Sequence, residues 1–170
     1  MHTPWVPSQK TMDSERTSWT TPPNFKEVLT EYDKQIGRLM EGLTKLGLEK
    51  NTIVIFTSDN GPAPSFQQMR TNSLLGVKCS LYEGGIRMPF AIHWPEKIKA
   101  GGINDSSIVC AVDLLPSLCA LTGAKLPLDM ELSGEDMSRA LLGEPQIRKK
   151  DLMWDFGRNK AFNYPRGKNA

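Results

Sequence analysis

The run Thr52-Ile-Val-Ile-Phe-Thr-Ser-Asp-Asn-Gly-Pro62 constrains this chain more than any other segment. A β-branched apolar stretch ends in an adjacent carboxylate and carboxamide, Asp59 and Asn60, and a Gly-Pro breaker closes it. The pattern predicts a buried strand that carries two hard oxygen donors at its C-terminal edge, the edge where open α/β sheets bind ligands. Hard oxygens suit Ca²⁺ or Mg²⁺. Asp-Asn-Gly is also a hairpin turn signal. The residues that follow, Pro62-Ala-Pro-Ser-Phe-Gln-Gln68, contain two prolines and no alternation, so no second strand follows directly. At this level the segment reads either as a ligand site or as a structural turn.

Around this strand the hydrophobic pattern predicts an α/β arrangement. Residues 1–23 are proline-rich and extended. Asn24, with Glu27 three residues on, has the form of a capping box. Phe25, Val28, Leu29, Tyr32, Ile36, Leu39, Met40, Leu43 and Leu46 then recur at spacings of three and four, one stripe of a long amphipathic helix. Gly47 is a natural stop. Residues 61–85 form a long irregular stretch, a length that in compact domains goes with function or disorder. Further strands are predicted at 88–94, 107–111 and 152–156. Helices are predicted from Asp113, as cap, to Leu121, with Pro116 in the first turn and Gly123 as terminator, and at 135–142. The tail from Gly157 is polar and basic and offers nothing to anchor it. Helix, strand, loop, strand, strand, helix is the order of an α/β sandwich, and nearly all-apolar strands are expected where helices cover both faces.

Composition narrows the function classes. The chain has 170 residues, 39% hydrophobic and 24% charged, with a net charge of +2. It is expected to be globular rather than disordered. Basic residues are mixed with acids except in Arg148-Lys149-Lys150, which reads as a solvated loop rather than a nucleic-acid patch. No run approaches the ~20 apolar residues of a membrane span. No signal-peptide pattern opens the sequence. Cys79, Cys110 and Cys119 show no metal-ligand spacing, and Cys110 and Cys119 read as small core residues.

Further residues are candidates for chemistry or its support. Lys78 sits on a glycine-flanked loop, Gly76-Val-Lys-Cys-Ser-Leu-Tyr-Glu-Gly-Gly-Ile-Arg-Met-Pro89, where it could meet an anion as a point charge; the bland reading is a surface lysine. Gly84-Gly85 would let that loop turn sharply. Arg87 and Glu83 read as an ion pair that pins it. His2, in His2-Thr-Pro-Trp-Val-Pro7, is held among prolines that suit a positioned proton donor, against the default of a disordered terminus. His93 alternates along a strand and reads as a core or rim histidine.

Taken together and in order, these segments resemble the type I sulfatase family of the alkaline phosphatase superfamily. The resemblance rests on His2-x-Pro-Trp-x-Pro, Glu31-Tyr32-Asp33 on the helix, Phe56-Thr-Ser-Asp-Asn-Gly-Pro62, and Lys78-x4-Glu83-Gly-Gly-x-Arg87-x-Pro89. Asp113-Leu-Leu-Pro-Ser117 and Gly134-Glu-Asp add to it. It covers about residues 1–157.

The resemblance implies a sulfuric ester hydrolase in which Asp59 and Asn60 are two ligands of a divalent cation, Ca²⁺ with Mg²⁺ as the alternative. Lys78 would contact the sulfate or the leaving oxygen. His2 would touch sulfate and serve as proton donor to the leaving group. Such roles agree with the need to neutralise anionic oxygens and to protonate or stabilise a departing alkoxide. The family nucleophile is a formylglycine made from the first residue of Cys/Ser-x-Pro-x-Arg, and no cysteine or serine here has that context. The early aspartate pair of the metal site and a Lys-x-His segment are likewise not found. The expectation is therefore a partial sulfatase-like sandwich, a mixed sheet flanked by helices and cut at both ends. Residues 1–157 would form the C-terminal portion of the catalytic domain, and 158–170 a polar tail leading to a further subdomain. Such a piece is expected to be inactive alone and to self-associate through uncovered apolar surface. The parent's substrate would be a sulfate ester, with a sulfated carbohydrate as a candidate, and its compartment periplasmic, secreted or lysosomal. Neither nucleic acid nor a membrane span is expected. The rival readings are a phosphate-ester hydrolase of the same superfamily and a non-catalytic metal- or anion-binding module. Cys79 stands where relatives often carry glycine.

Overall fold

The computed structural model describes residues 22–63, 70–127, 129–156 and 159–160. The first element is helix α1, Pro22–Lys45. It starts two residues before Asn24, so Asn24 lies within the first turn and is not the cap. Proline suits that turn because the first helical N–H groups need no intrahelical acceptor. The other end matches expectation. Gly47 has φ +68°. Its N–H donates to Thr44 O at 3.0 Å and Leu48 N–H to Leu43 O at 2.9 Å. These two bonds are the Schellman pattern, which glycine completes without a Cβ clash.

A 3-10 turn, Glu49–Asn51, leads into β1, Val54–Thr57. β1 pairs antiparallel with β2, Phe90–His93, in the register Val54↔His93 to Thr57↔Phe90. All of residues 58–89 lie between them, including the one-turn helix α2, Glu83–Ile86. The Asp-Asn-Gly sequence therefore does not close a tight hairpin. Tyr32 of α1 packs against Phe56 of β1, with ring centroids 6.1 Å apart.

Helix α3 spans Ala111–Thr122 and ends at Gly123, φ +77°. Its N-cap is Cys110, not Asp113. Asp113 sits at the third helical position, and its carboxylate reaches back to accept the Cys110 N–H at 2.8 Å. Pro116 falls beyond the first turn and removes the N–H that would have bonded the Val112 carbonyl. Gly134 packs against that carbonyl so closely that a Cβ there would lie 2.0 Å from Val112 O. A short helix α4, Ser138–Leu141, follows, and β3, Asp155–Phe156, pairs antiparallel with β4, Asn159–Lys160. β4 gives the chain beyond Gly157 an anchored element that the sequence did not suggest.

The architecture is a partial α/β domain. Among the described residues the strands form two antiparallel pairs rather than one mixed sheet. Of residues 107–111, expected as a strand, 107–110 form no ladder and Ala111 opens α3. Side-chain and guanidinium bonds hold them instead: Gln146 N–H donates to Ser107 Oγ at 2.9 Å, and Arg148 Nη1 to Ile108 O at 3.4 Å.

Burial is uneven along the chain. Met137, Ala140, Leu141 and Leu152 are buried around α3 and α4, and Trp94 is buried beside β2. The apolar stripe of α1 stays largely uncovered, with Leu39 55% and Leu46 73% exposed. Phe56 and Phe90 on the two strands are exposed as well. The expected burial of β1 on both faces is not met, because a two-stranded sheet has few neighbours to cover it.

Candidate functional site

The site begins where β1 stops. Thr57 Oγ1 donates to Pro89 O at 2.9 Å, which closes the β1–β2 pair just ahead of the carboxylate. Ser58 Oγ donates to Asn60 O at 3.0 Å and tightens the bend. Asp59 is exposed and Asn60 half-buried. The Asn60 amide N–H donates to Asp59 Oδ2 at 2.5 Å. The two side chains expected as metal ligands are thus side by side at the strand edge. The carboxylate and the amide carbonyl are the atoms suited to a hard cation. Among the described residues no group of three or more His, Cys, Asp or Glu side chains could hold a metal ion. Asp59 and Asn60 thus stand at the strand edge as a pair of hard oxygen donors with no third carboxylate, histidine or cysteine grouped with them among the described residues.

Lys78 is brought to the same edge by main-chain bonds. Gly61 N–H donates to Gly85 O at 2.9 Å, and Lys78 N–H donates to Pro62 O at 2.9 Å. Gly84 N–H donates to Leu75 O at 2.7 Å. These contacts need bare backbones. A Cβ on Gly61 would meet Gly84 O at 2.2 Å, one on Gly84 would meet Gly76 O at 2.2 Å, and one on Gly85 would meet Ser80 O at 2.2 Å. Gly84 and Gly85 were expected to allow a sharp turn. They lie instead inside α2, buried, and are needed because backbone meets backbone there.

Lys78 occupies a turn closed by Ser80 N–H donating to Val77 O at 3.1 Å. Cys79 follows it with φ +68°, the left-handed region that favours glycine. Glycine adopts this conformation without strain, and Cys79 holds it with a side chain. The Arg87–Glu83 ion pair is present at 3.3 Å and exposed, an i,i+4 contact along α2. Arg70 ties the loop after Asn60 to α1: its Nη2 donates to Ala63 O at 2.8 Å and its guanidinium lies 4.9 Å from the Phe25 ring centroid. Burial lowers the Arg70 pKa from its ordinary value.

His2 lies outside the described residues. His93 pairs with Val54, at the end of the sheet opposite Asp59, and faces Glu49 at 3.7 Å as an exposed rim histidine. Cys110 and Cys119 are half-buried free thiols.

One polar cluster has no counterpart in the sequence reading. Arg148 is buried, not solvated. Its Nη1 and Nη2 donate to Asp113 Oδ2 and Oδ1 at 2.6 and 3.2 Å, and Nη2 is 3.5 Å from Glu135 Oε1. Lys150 Nζ donates to Leu132 O and Gly134 O at 2.6 and 3.0 Å. The basic run is a knot that joins the start of α3 to residues 132–135. An aspartate at the third position of an apolar helix was the only local signal for it.

Comparison with known proteins bears on this arrangement. The family described as Sulfatase matches residues 1–124. The chain is similar to arylsulfatase A of Homo sapiens, 38% identical over 134 residues, covering 76% of this chain and 25% of that protein. It is similar to an N-acetylgalactosamine-6-O-sulfatase of Bacteroides thetaiotaomicron, 34% identical over 138 residues, covering 75% of this chain and 27% of that protein. The chain thus spans about a quarter of the length of these curated relatives. A crystal structure of Ps i-CgsB in complex with k-i-k-neocarrahexaose superposes with a TM-score of 0.70 at 29% identity, over 89% of this chain and 34% of that one. BT4656 in complex with its substrate, D-glucosamine-2-N,6-O-disulfate, gives a TM-score of 0.63 at 26% identity, over 84% of this chain and 27% of that one.

Proposed function

The chain belongs to the sulfatase family of the alkaline phosphatase superfamily, and from that premise we propose that it supplies one part of a sulfate-ester hydrolase site. Asp59 and Asn60 contribute two ligands to a divalent cation, Ca²⁺ before Mg²⁺. Lys78 contacts the sulfate or the leaving oxygen, and His2 donates a proton to the leaving group. The observation that supports this reading is the pair of main-chain bonds, Gly61 to Gly85 and Lys78 to Pro62, that fixes the lysine turn against the residues directly after Asp59-Asn60. A family match without that tie would say nothing about whether these groups act together.

The residues present fit the cation in kind. A carboxylate and a carboxamide side by side are hard donors, and a bound cation would neutralise charge on the sulfate oxygens. Lys78 adds a second positive charge at the same edge, which favours an anionic substrate and the charge that develops as the ester bond breaks. The formylglycine does not fit this chain, because no cysteine or serine in it is followed by x-Pro-x-Arg. We read residues 1–157 as the later portion of a catalytic domain whose nucleophile belongs to another segment. A sulfated carbohydrate is the proposed substrate class, supported by the sugar ligands of the similar structures.

Hydrolysis of 4-nitrophenyl sulfate tests the reading. The isolated chain is expected to give no turnover, and turnover that Asp59→Ala abolishes would overturn this. Joined to a formylglycine-bearing N-terminal segment of a family member, the chain is expected to support hydrolysis. Asp59→Ala and Lys78→Ala should each then cut kcat/KM about a hundredfold or more, as loss of a transition-state charge contact does. Undiminished turnover in both variants would sink the assignment.

A further inference from the structure

We propose that Ser80 is a positioning residue for Lys78, its hydroxyl clasping the turn that presents the lysine to an anionic oxygen. Three observations carry this. First, Ser80 Oγ is bonded in both directions to one residue: it donates to Val77 O at 2.8 Å and accepts the Val77 N–H at 3.1 Å. With the main-chain bond from Ser80 N–H to Val77 O at 3.1 Å, the two residues that bracket Lys78-Cys79 share three hydrogen bonds. Secondly, the turn has a reason to open. Cys79 at φ +68° holds a conformation that disfavours a side chain, so something must hold it there. Thirdly, two glycines leave the hydroxyl the room it occupies. A Cβ on Gly76 would lie 2.3 Å from Ser80 Oγ, and one on Gly85 would lie 2.8 Å from it. A side chain at either position would collide with the clasp.

The consequence for the site follows from the next bond along. Lys78 N–H donates to Pro62 O at 2.9 Å, and this bond joins the turn to the Asp59-Asn60 edge. Releasing the clasp lets the turn relax at Cys79 and weakens that bond, so the lysine loses its fixed relation to the carboxylate. The functional weight of Ser80 rests on the reading of Lys78 as a sulfate contact. The clasp itself does not.

Amide hydrogen exchange by NMR on the whole chain tests it, with Ser80→Ala and Ser80→Thr. Loss of the two side-chain bonds in Ser80→Ala should speed exchange of the Lys78 amide roughly tenfold or more, while the Asp113 and Met137 amides keep their protection. Ser80→Thr keeps the hydroxyl and should stay within about threefold of the parent. Unchanged Lys78 exchange in Ser80→Ala would overturn the proposal. So would acceleration spread equally to Asp113 and Met137, which would make Ser80 a general support of the fold. A threonine variant as fast as the alanine variant would also overturn it. A second arm adds sodium sulfate, with sodium chloride at matched ionic strength as reference. Sulfate should shift the Lys78 amide signal in the parent and in Ser80→Thr, and several-fold less in Ser80→Ala. An equal response in all three would count against positioning. No response in the parent would remove Lys78 as a sulfate contact and leave exchange to decide the clasp.

Discussion

Replacing Arg148 by methionine tests whether the buried knot at the start of α3 holds the C-terminal half of the chain. Arg148 is 4% exposed and Asp113 0%. The substitution removes two charged contacts to Asp113 and the Nε bond to Lys150 O at 2.9 Å. Asp113 keeps two acceptor bonds, from Cys110 N–H at 2.8 Å and Glu135 N–H at 3.0 Å. It would be left as a buried carboxylate without its cation, a change that costs about 3–5 kcal/mol. Methionine fills much of the arginine volume, so a cavity adds little. Set against a total stability of about 5–15 kcal/mol for a domain, the loss is about a fifth or more.

Asp113→Asn with Arg148→Met separates charge from packing. The double variant removes both charges of the Asp113–Arg148 pair, and the NH2 that replaces one Asp113 oxygen meets the backbone N–H of Cys110 or Glu135, a donor mismatch that costs about 1–3 kcal/mol. It should therefore be less destabilised than the two single changes added together, by about 2 kcal/mol, within the usual range for groups in contact. Urea unfolding followed by tryptophan fluorescence, with Trp94 as a buried reporter, reads this directly. With a slope of about 2 kcal/mol per molar urea, Arg148→Met should lower the midpoint by about 1.5–2.5 M. A shift below about 0.5 M, or a double variant whose cost equals the sum, would refute the reasoning.

Three other outcomes follow from the same structure. Cys79→Gly relieves the positive φ but loosens the unfolded chain, for a net gain of about 0.5–1 kcal/mol seen as a higher urea midpoint; a loss would mean the thiol makes a contact that matters. Gly84→Ala places a Cβ 2.2 Å from Gly76 O and 2.8 Å from Leu75 O, which should cost about 1–3 kcal/mol and speed exchange of the Gly61 and Lys78 amides; exchange as slow as in the parent would show that the backbone can give way. The uncovered apolar side chains of α1, the turn after it and β1, Leu29, Leu39, Leu46 and Phe56, should drive concentration-dependent self-association of the chain in sedimentation velocity; one concentration-independent monomer peak would contradict this.

What could be read from sequence divides by the range of the interaction responsible. The end of α1 was legible because every group involved, from Leu43 to Leu48, lies within six residues of its partner. Gly47 carries that geometry alone. The placement of Asp59 and Asn60 at a strand end was legible for the same reason, since a β-branched run followed by Asp-Asn-Gly-Pro encodes its own stop. Residues 107–110 were misread because Ser-Ile-Val-Cys has strand propensity, and propensity says nothing about a partner. Their bonds come from Gln146 and Arg148, about forty residues later in the chain. Gly84 and Gly85 were recognised as special for the wrong cause. A glycine pair signals freedom in φ and close approach with the same two letters, and only the position of Gly61 and Gly76 separates the two. Arg148 shows the limit most clearly. Its neighbours Lys149 and Lys150 give the segment the look of a solvated surface, yet the carboxylate that draws it inward lies at residue 113. Lys78 stands between these cases. Its turn is local and its motif visible, but the bond that makes it part of a site runs to Pro62, across a loop whose course no periodicity describes. The site is therefore joined by main-chain contacts through glycines, and side-chain patterns could name its members without showing how they meet.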